Sequence, residues 1–158
     1  MPALDLWYML SSIVTVFGLP LAIFVFVYEQ RKEREDAKES TYLMLSDAYS
    51  DFLRLVIANP DLRLRSQPSI PNPNEEQHER MLIIFDILIS LFERAHILVY
   101  EENMSGDQLR RWRSWEDYMR EWCQREDFRA ALPELLHGED PAFAEYIRKL
   151  AREELNTN

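Results

Sequence analysis

The chain has 158 residues, and its 28 acidic against 18 basic residues give a formal net charge of −10. An acidic chain of this kind offers no basic surface to phosphates, so nucleic acid is excluded as an expected partner. The whole chain has only three glycines, and few β-branched runs occur after the first 28 residues. Both features predict an all-α fold. The single cysteine, Cys123, excludes a disulfide framework and suits a reducing cytoplasm, where we expect it to pack as a small core residue.

The first predicted element is a largely apolar stretch, Leu6–Tyr28, whose only ionisable side chains are tyrosines. A helix of this length measures about 35 Å, enough to cross a hydrocarbon core of about 30 Å. A cleaved signal peptide is the main alternative, but it needs a basic start, a shorter apolar run and a small-residue cleavage site, which this sequence does not have. We therefore predict a short N-terminal tail and a transmembrane helix over residues 1–28.

Aromatic and basic residues flank this segment. Trp7, Tyr8 and Tyr28 are placed where amphipathic rings favour the headgroup level of a bilayer. Lys and Arg occur only after the segment, beginning with Arg31 and Lys32, so the positive-inside rule places the N-terminus outside and the rest of the chain in the cytoplasm. The prediction is a single-pass protein of the bacterial inner membrane that contacts membrane lipid.

Small and polar residues lie along one face of the predicted transmembrane helix. They are spaced by four, three and four residues: Ser11, Thr15, Gly18 and Ala22. Small side chains let another helix approach closely in lipid, so this face predicts contact with other integral membrane proteins. The alternative is that Gly18 and Pro20 only tune a kink. The span has no His, Asp, Glu, Lys or Arg to bind a haem or an ion, and we predict no cofactor.

A helix is predicted to continue through residues 29–58 as a stalk and first bundle helix. Its expected core residues recur every three or four positions: Leu45, Ala48, Phe52 and Leu55. The helix should end at Asn59, because the residue before a proline avoids helical geometry. Residues 59–73 hold four of the eight prolines and are predicted to be a linker. Arg63 and Arg65 in this linker are expected to be solvated, with lipid phosphates as the alternative ligand.

Residues 74–158 are predicted to complete a cytoplasmic bundle of three to four helices. Asn74 is a candidate N-cap for a helix that runs to about Glu101. Within it, Met81–Phe92 is apolar almost all round, which indicates a central core helix. A second membrane span is the alternative, but the apolar run is too short and includes Asp86.

The next predicted helix, Asp107–Arg125, has the clearest amphipathic pattern in the chain. Its apolar residues lie at steps of three, three, four and three: Leu109, Trp112, Trp115, Met119 and Trp122. Packing against Met81–Val99 is the favoured interpretation. The alternative is a partner-binding surface in which Trp112, Trp115 and Arg111 act as anchors, because Trp and Arg are enriched among binding hot spots.

Two shorter elements are predicted to follow. Asp127–Leu136 is a helical segment interrupted by Pro133, and Gly138 then breaks the chain. Asp140 and Pro141 form the cap and first position of a last helix. Its apolar face consists of Phe143, Ile147, Leu150 and Ala151.

All three histidines follow a glutamate by three residues, the spacing with which di-iron bundles build their sites. Only one combination can lie on facing helices: Glu93 and His96 with Glu134 and His137. His137 stands beside the helix-breaking Gly138, and such spacings arise by chance in an acidic chain, so we expect no metal site. No phosphate-binding loop, nucleophile motif or Cys/His cluster is present, so the sequence predicts neither an enzyme nor a small-molecule substrate.

Several features resemble a class of uncharacterised bacterial proteins with one N-terminal membrane helix and a small cytoplasmic helical domain. The features are the anchor, the Asn59-Pro60-Asp61-Leu62-Arg63 helix end, and the Trp112-x-x-Trp115 helix followed by Phe128 and Phe143. The resemblance implies a fold and no activity. The function predicted first is a non-catalytic accessory, assembly or scaffold subunit of a larger membrane complex, for example a respiratory or photosynthetic one. The alternative is a free-standing membrane sensor or effector of the stress or phage-defence type.

Overall fold

The computed structural model describes the backbone of residues 19–66, 69–104 and 106–157 and the side chains of 21–66, 69–104 and 106–156. Within these ranges the chain forms five α-helices and one short 3₁₀ turn, with no strand. The α-helices are α1 (Leu19–Ala58), α2 (Glu75–Val99), α3 (Gly106–Cys123), α4 (Glu126–Leu135) and α5 (Pro141–Thr157), and the 3₁₀ turn is Pro60–Leu62. The prediction of an all-α fold is confirmed.

The chain divides into two units, with the boundary between Tyr42 and Leu43. This boundary falls inside α1, and also inside the predicted stalk and first bundle helix at 29–58. Among the described residues, no helix has a stretch that is both long enough and apolar enough to cross a membrane. Residues 6–18 of the predicted Leu6–Tyr28 span lie outside the described residues.

In the second unit, the C-terminal part of α1 contributes one face to the core. The buried residues are Leu45, Tyr49, Phe52 and Val56. They are spaced by four, three and four residues and so share one side of the helix. Ala48 and Leu55, predicted as core residues, are half-buried at the edge of this face. Tyr49 is buried in the core at the position where Ala48 was predicted.

The end of α1 and the start of α2 follow the predicted capping chemistry. After Ala58, the Asn59 side-chain nitrogen donates to the Leu55 carbonyl at 2.9 Å, and Pro60 begins the 3₁₀ turn. At α2, the Asn74 side-chain oxygen accepts from the Gln77 backbone N–H at 2.8 Å, and the Gln77 side-chain oxygen accepts from the Asn74 N–H at 3.1 Å. This reciprocal pair is a capping box, which satisfies two N–H groups that the helix cannot.

Helices α2 and α3 form the centre of the second unit. From α2 the core receives Met81, Ile84, Phe85, Leu88, Ile89, Leu91 and Phe92. From α3 it receives Trp112, Trp115, Met119, Trp122 and Cys123. The core interpretation of both helices is confirmed. The partner-surface alternative is wrong for the two indoles of Trp112 and Trp115, which are 1% and 2% exposed and have no ring face to offer. Arg111 on the same helix is half-buried.

The last two helices cover one side of α2 and α3. The predicted interruption at Pro133 is wrong, because α4 continues through it to Leu135. Pro133 lies in the last turn of α4, where Leu136 N–H still donates to the Leu132 carbonyl at 3.0 Å. At α5, the Asp140 side chain accepts from the backbone N–H groups of Ala142 and Phe143, both at 3.0 Å, as expected for an N-cap. The predicted apolar face of α5 is buried.

Part of the segment predicted as a linker at 59–73 belongs to the core of the second unit. Leu62 and Leu64 are 0% and 3% exposed and belong to the core. The buried Arg125 guanidinium donates to the carbonyls of this segment at Arg63 (3.2 Å), Leu64 (2.9 Å) and Ser66 (2.9 Å). The same guanidinium donates to both carboxylate oxygens of Asp127, at 3.0 and 2.5 Å. One side chain therefore holds the segment between α1 and α2 on the start of α4.

Candidate functional site

Exposed apolar side chains are concentrated in two places, and the first lies in the first unit. Between 39% and 69% of each of these side chains is exposed: Leu21, Ile23, Phe24, Val25, Phe26, Val27 and Tyr28. We call Leu21–Tyr28 the apolar segment. Because successive residues of a helix are about 100° apart, eight consecutive positions face every side of it. The apolar segment therefore presents no polar side to water.

A charged stretch follows the apolar segment directly. Residues 29–40 are all exposed and contain Arg31 and Lys32, the two predicted membrane-interface cations. Tyr28 is 63% exposed at the junction, and Ala22 of the predicted small-residue face is also exposed. The other predicted residues of this region lie outside the described residues: Trp7, Tyr8, Ser11, Thr15 and Gly18.

The second concentration of exposed apolar side chains lies on α2, in the second unit. Ile83, Ile87 and Ile97 are 54%, 44% and 58% exposed. We define the outer face of α2 as these three with the polar residues between them, Asp86, Ser90 and Arg94. All six lie within about 60° of Ser90 around the helix axis. The sequence prediction missed this face because it treated Met81–Phe92 as buried on most sides. The available signal was the spacing by four of Asp86, Ser90 and Arg94.

A groove of about 480 Å³ runs beside the outer face of α2. One wall is α2 and the other is the C-terminal part of α1, and the lining includes Ala48, Phe52, Leu55, Ile87 and Leu91. Charged groups stand around it: Asp51, Asp86 and Arg94. The groove is thus apolar inside and carries both signs of charge at its edge.

His96, one of the predicted metal ligands, is part of an aromatic cluster. Its ring is stacked on Tyr100 with centroids 4.6 Å apart, and it packs against Trp112 (5.7 Å), Phe143 (5.8 Å) and Tyr146 (5.2 Å). Burial lowers the pKa of His96 below its ordinary value, although the charge of Asp140 acts in the opposite direction. The imidazole is therefore neutral at pH 7 and serves as a ring in the core.

The other metal candidates are not assembled around His96. The Glu93 side chain accepts a hydrogen bond from the backbone N–H of Asp140 at 2.5 Å, directly before the start of α5. Glu134 and His137 are exposed at the end of α4. Among the described residues, no three His, Cys, Asp or Glu side chains come together as a metal site. The pair of Glu-x-x-His motifs named from the sequence is not a ligand set there.

A polar network connects α3 to α5 at the edge of the aromatic cluster. Trp112 Nε1 donates to the Tyr146 hydroxyl (3.1 Å), which donates to the Glu116 carboxylate (2.7 Å). Arg120 donates to the other Glu116 oxygen and to Glu153 and Glu154. Burial favours a higher pKa for Glu116, but the hydrogen bonds from Tyr146 and Arg120 outweigh it and lower that pKa. Burial and the Glu116 charge raise the pKa of Tyr146. The network is satisfied internally and holds two helices together.

Cys123 is fully buried at the end of α3. Burial raises the pKa of its thiol to about 12, and the charge of Glu154 acts in the same direction. Because the thiolate is the reactive form, this cysteine is inert at neutral pH. Its predicted role as a small core residue is confirmed.

Glu139, in the turn between α4 and α5, has a raised pKa. Burial, a hydrogen bond with Glu93, and the charges of Glu93 and Asp86 raise the pKa of Glu139 to about 7. In the folded protein Glu139 therefore keeps its proton up to about pH 7, whereas in the unfolded chain it ionises near its ordinary pKa of 4.5.

We expect the Glu139→Gln substitution to stabilise the protein at pH 8 and to change its stability little at pH 4.5. Between the two pKa values the folded state binds a proton that the unfolded state has lost, so the wild-type free energy of unfolding falls as pH rises through this window and levels above about pH 7. Urea unfolding at both pH values measures the effect, with the exposed Glu145→Gln on α5 as a matched control. An equal effect of Glu139→Gln at both pH values would contradict the assignment.

Comparison of the chain with protein families, with curated proteins and with solved structures gave no match. The resemblance drawn from the sequence stays a prediction.

Proposed function

We propose that this chain is a non-catalytic subunit that is anchored in a bacterial inner membrane by its N-terminal helix and binds other integral membrane proteins. In this proposal it is an accessory, assembly or scaffold component of a larger membrane complex, and its helical domain lies in the cytoplasm. The observation that carries the proposal is the apolar segment, Leu21–Tyr28, which is exposed on every side of α1.

The hydrophobic effect is the first argument for lipid as the surroundings of this segment. Burying a large apolar side chain is worth about 1.5–3 kcal/mol. Seven such side chains lie within Leu21–Tyr28, and an amphipathic helix would hide them on a single face. Because they point to all sides, a lipid phase satisfies them better than one protein groove. The uncharged sequence from Leu6 to Val16 extends the same composition.

The charged stretch after the apolar segment supports the orientation. Arg31 and Lys32 are exposed within one or two turns of Tyr28, close to where the polar headgroups would begin. The sequence before Leu6 has no Lys or Arg. By the positive-inside rule, the N-terminus is outside and the second unit is cytoplasmic. The partner contacts of the proposal run through the small-residue face at Ser11, Thr15, Gly18 and Ala22.

The free-standing sensor or effector is the second candidate. It is favoured by the outer face of α2, an apolar surface of the second unit that is still exposed in the single chain. A sensor that acts alone would use such a face for its own association.

We expect the double substitution Leu21→Arg/Phe24→Arg to release the protein from membranes. Arginine costs about 2.5–3.5 kcal/mol when placed at the centre of a membrane helix and less toward its ends, so two of them within the apolar segment weaken insertion strongly. The measurement is the fraction of full-length protein that stays in the pellet after an alkaline carbonate wash of native membranes.

The matched control replaces two apolar side chains of similar exposure in the second unit. Ile57 and Leu155 are 76% and 60% exposed, against 63% and 69% for Leu21 and Phe24. The Ile57→Arg/Leu155→Arg protein should remain in the pellet. If the Leu21→Arg/Phe24→Arg protein remains there to the same extent, the anchor assignment is wrong.

The same tagged chain, purified from native membranes in mild detergent, separates the two candidates. Recovery with a fixed-ratio set of integral membrane proteins, identified by mass spectrometry, supports the accessory subunit. Loss of that set in a Gly18→Leu variant would locate the contact on the small-residue face. Recovery of the chain alone, or only with itself, would overturn the accessory reading and favour the sensor.

A further inference from the structure

We propose that the outer face of α2 binds a second copy of this chain, with the two α2 helices antiparallel about a two-fold axis at Ser90. The surface belongs entirely to the second unit, so the proposal does not depend on membrane anchoring or on partners in a membrane. It rests on the exposure of the outer face of α2, on two residue pairs that are symmetric about Ser90, and on the charges of Asp86 and Arg94.

The apolar part of the face consists of large exposed side chains on α2. Ile83, Ile87 and Ile97 are each about half exposed, and Leu98 beside them is 50% exposed. From Ile83 to Ile97 the face extends for about 21 Å along the helix. Exposed apolar side chains that recur along one side of a helix, with polar residues among and around them, are typical of an interaction surface.

Four of the six residues form two pairs that are symmetric about Ser90, whereas Ile87 has Glu93 at its mirror position. Asp86 lies four residues before it and Arg94 four residues after it, while Ile83 lies seven before and Ile97 seven after. In an antiparallel pair with its axis at Ser90, each member of these two pairs lies at the same height along the dimer as its mirror position on the other copy. Asp86 of each copy then faces Arg94 of the other, and Ile83 faces Ile97. This is the self-complementary pattern that an isologous interface requires.

The charges select this arrangement over a parallel one. Neither Asp86 nor Arg94 has an ion-pair partner among the described residues. They are about 12 Å apart along their own helix, too far to pair with each other. Antiparallel packing places Asp86 of each copy near Arg94 of the other, which gives two ion pairs in the dimer. Parallel packing would place Asp86 against Asp86 and Arg94 against Arg94, which is repulsive.

The shape of the face permits close contact. Ser90 is small and half-buried at the centre, so two helices can approach to the usual axial distance of about 8–10 Å there. The groove beside the face has an apolar floor at Phe52 and Leu91 and stands open to side chains from a second copy. The polar mouth of this groove, at Asp51 and Arg94, forms the rim of the contact.

Charge reversal tests the proposal. Asp86→Arg makes both ends of the face basic, and Arg94→Glu makes both ends acidic, so each variant alone places like charges opposite each other. We expect the dissociation constant of the dimer to rise at least about tenfold for each variant. Mixing the two variants restores opposite charges at both contacts, and we expect a mixed dimer as tight as the wild-type one.

The measurement is sedimentation velocity on the full-length chain in mild detergent, with circular dichroism to show that each variant is folded. Arg148→Glu, an exposed reversal on α5, is the matched control and should leave the dimer intact. As a second readout, Ser90→Cys should form a disulfide-linked dimer under mild oxidation, while the exposed Glu145→Cys should not. A monomeric wild type, single variants as tight as the wild type, or a mixture no tighter than its components each overturns the proposal. Retained dimers in both single variants would place the contact elsewhere, including on the N-terminal helix.

Discussion

Replacing Trp122 with alanine is expected to lower the free energy of unfolding of the second unit by about 3–5 kcal/mol, because a large buried ring leaves a cavity that the core cannot close. The indole is 1% exposed and makes edge contacts with Phe52 (5.5 Å between centroids) and Phe85 (6.2 Å). Its Nε1 donates to the Tyr49 hydroxyl at 3.4 Å, so the substitution also leaves a buried hydroxyl without its donor. Trp122, on α3, therefore contacts residues of both α1 and α2.

Urea unfolding followed by circular dichroism measures the effect. Trp122→Phe keeps most of the ring volume and should cost less than Trp122→Ala. Tyr118→Ala is the matched control, because Tyr118 stacks on Tyr49 but is 37% exposed. Domains of this size are stable by only about 5–15 kcal/mol, so Trp122→Ala should bring the second unit close to unfolding. A loss no larger than that of Tyr118→Ala would show that Trp122 does not hold the core.

Replacing Arg125 with methionine is expected to cost about 3–5 kcal/mol, the usual result of removing one partner from a buried ionic network. Methionine fills a similar volume but donates no hydrogen bond. The carbonyls of Arg63, Leu64 and Ser66 would lose their shared donor, and the half-buried Asp127 carboxylate would lose its ion-pair partner. We expect the segment before α2 to detach first, because these carbonyls are what the guanidinium holds.

Hydrogen exchange separates local detachment from a general loss of stability. In Arg125→Met, the amides around Leu62 and Leu64 should exchange faster than those in the middle of α2. Arg125→Lys keeps the charge but not the planar fork, so it should rescue only part of the loss. Arg113→Met, at an exposed position on α3, should have little effect. Uniform exchange across the second unit would mean that Arg125 does not act on this segment.

Local chemistry explains which parts of the fold could be predicted from the sequence. The caps at Asn74 and Asp140 depend on side chains within three residues of the helix start, and both form as predicted. The tryptophan stripe of α3 and the apolar face of α5 follow from helical periodicity alone. These patterns also predicted that α2 is the core helix, since its apolar run is the longest in the second unit.

The features that the sequence did not predict are of two kinds. Some depend on contacts between residues far apart in the chain, and others on a short pattern within a longer apolar run. Arg125 and Leu64 are 61 positions apart, and nothing near either of them indicates that a buried guanidinium holds the proline-rich segment. The outer face of α2 was hidden because isoleucines occur on both its buried and its exposed sides. Pro133 predicts an interruption of the helix, but a proline near the end of a helix removes only one hydrogen bond. Of the candidate surfaces, the apolar segment could be predicted from composition, but the face around Ser90 needed the fold.

The burial of Cys123 has a practical consequence for labelling this protein. The natural chain holds one thiol, and it is enclosed at the end of α3 with its pKa raised to about 12. Maleimides and spin labels react through the thiolate, so at neutral pH they will pass over Cys123 in the folded state. A cysteine introduced at a surface position therefore becomes the single reactive site without any change to the native residue. Distances between labels on two chains can then be measured in an otherwise wild-type protein.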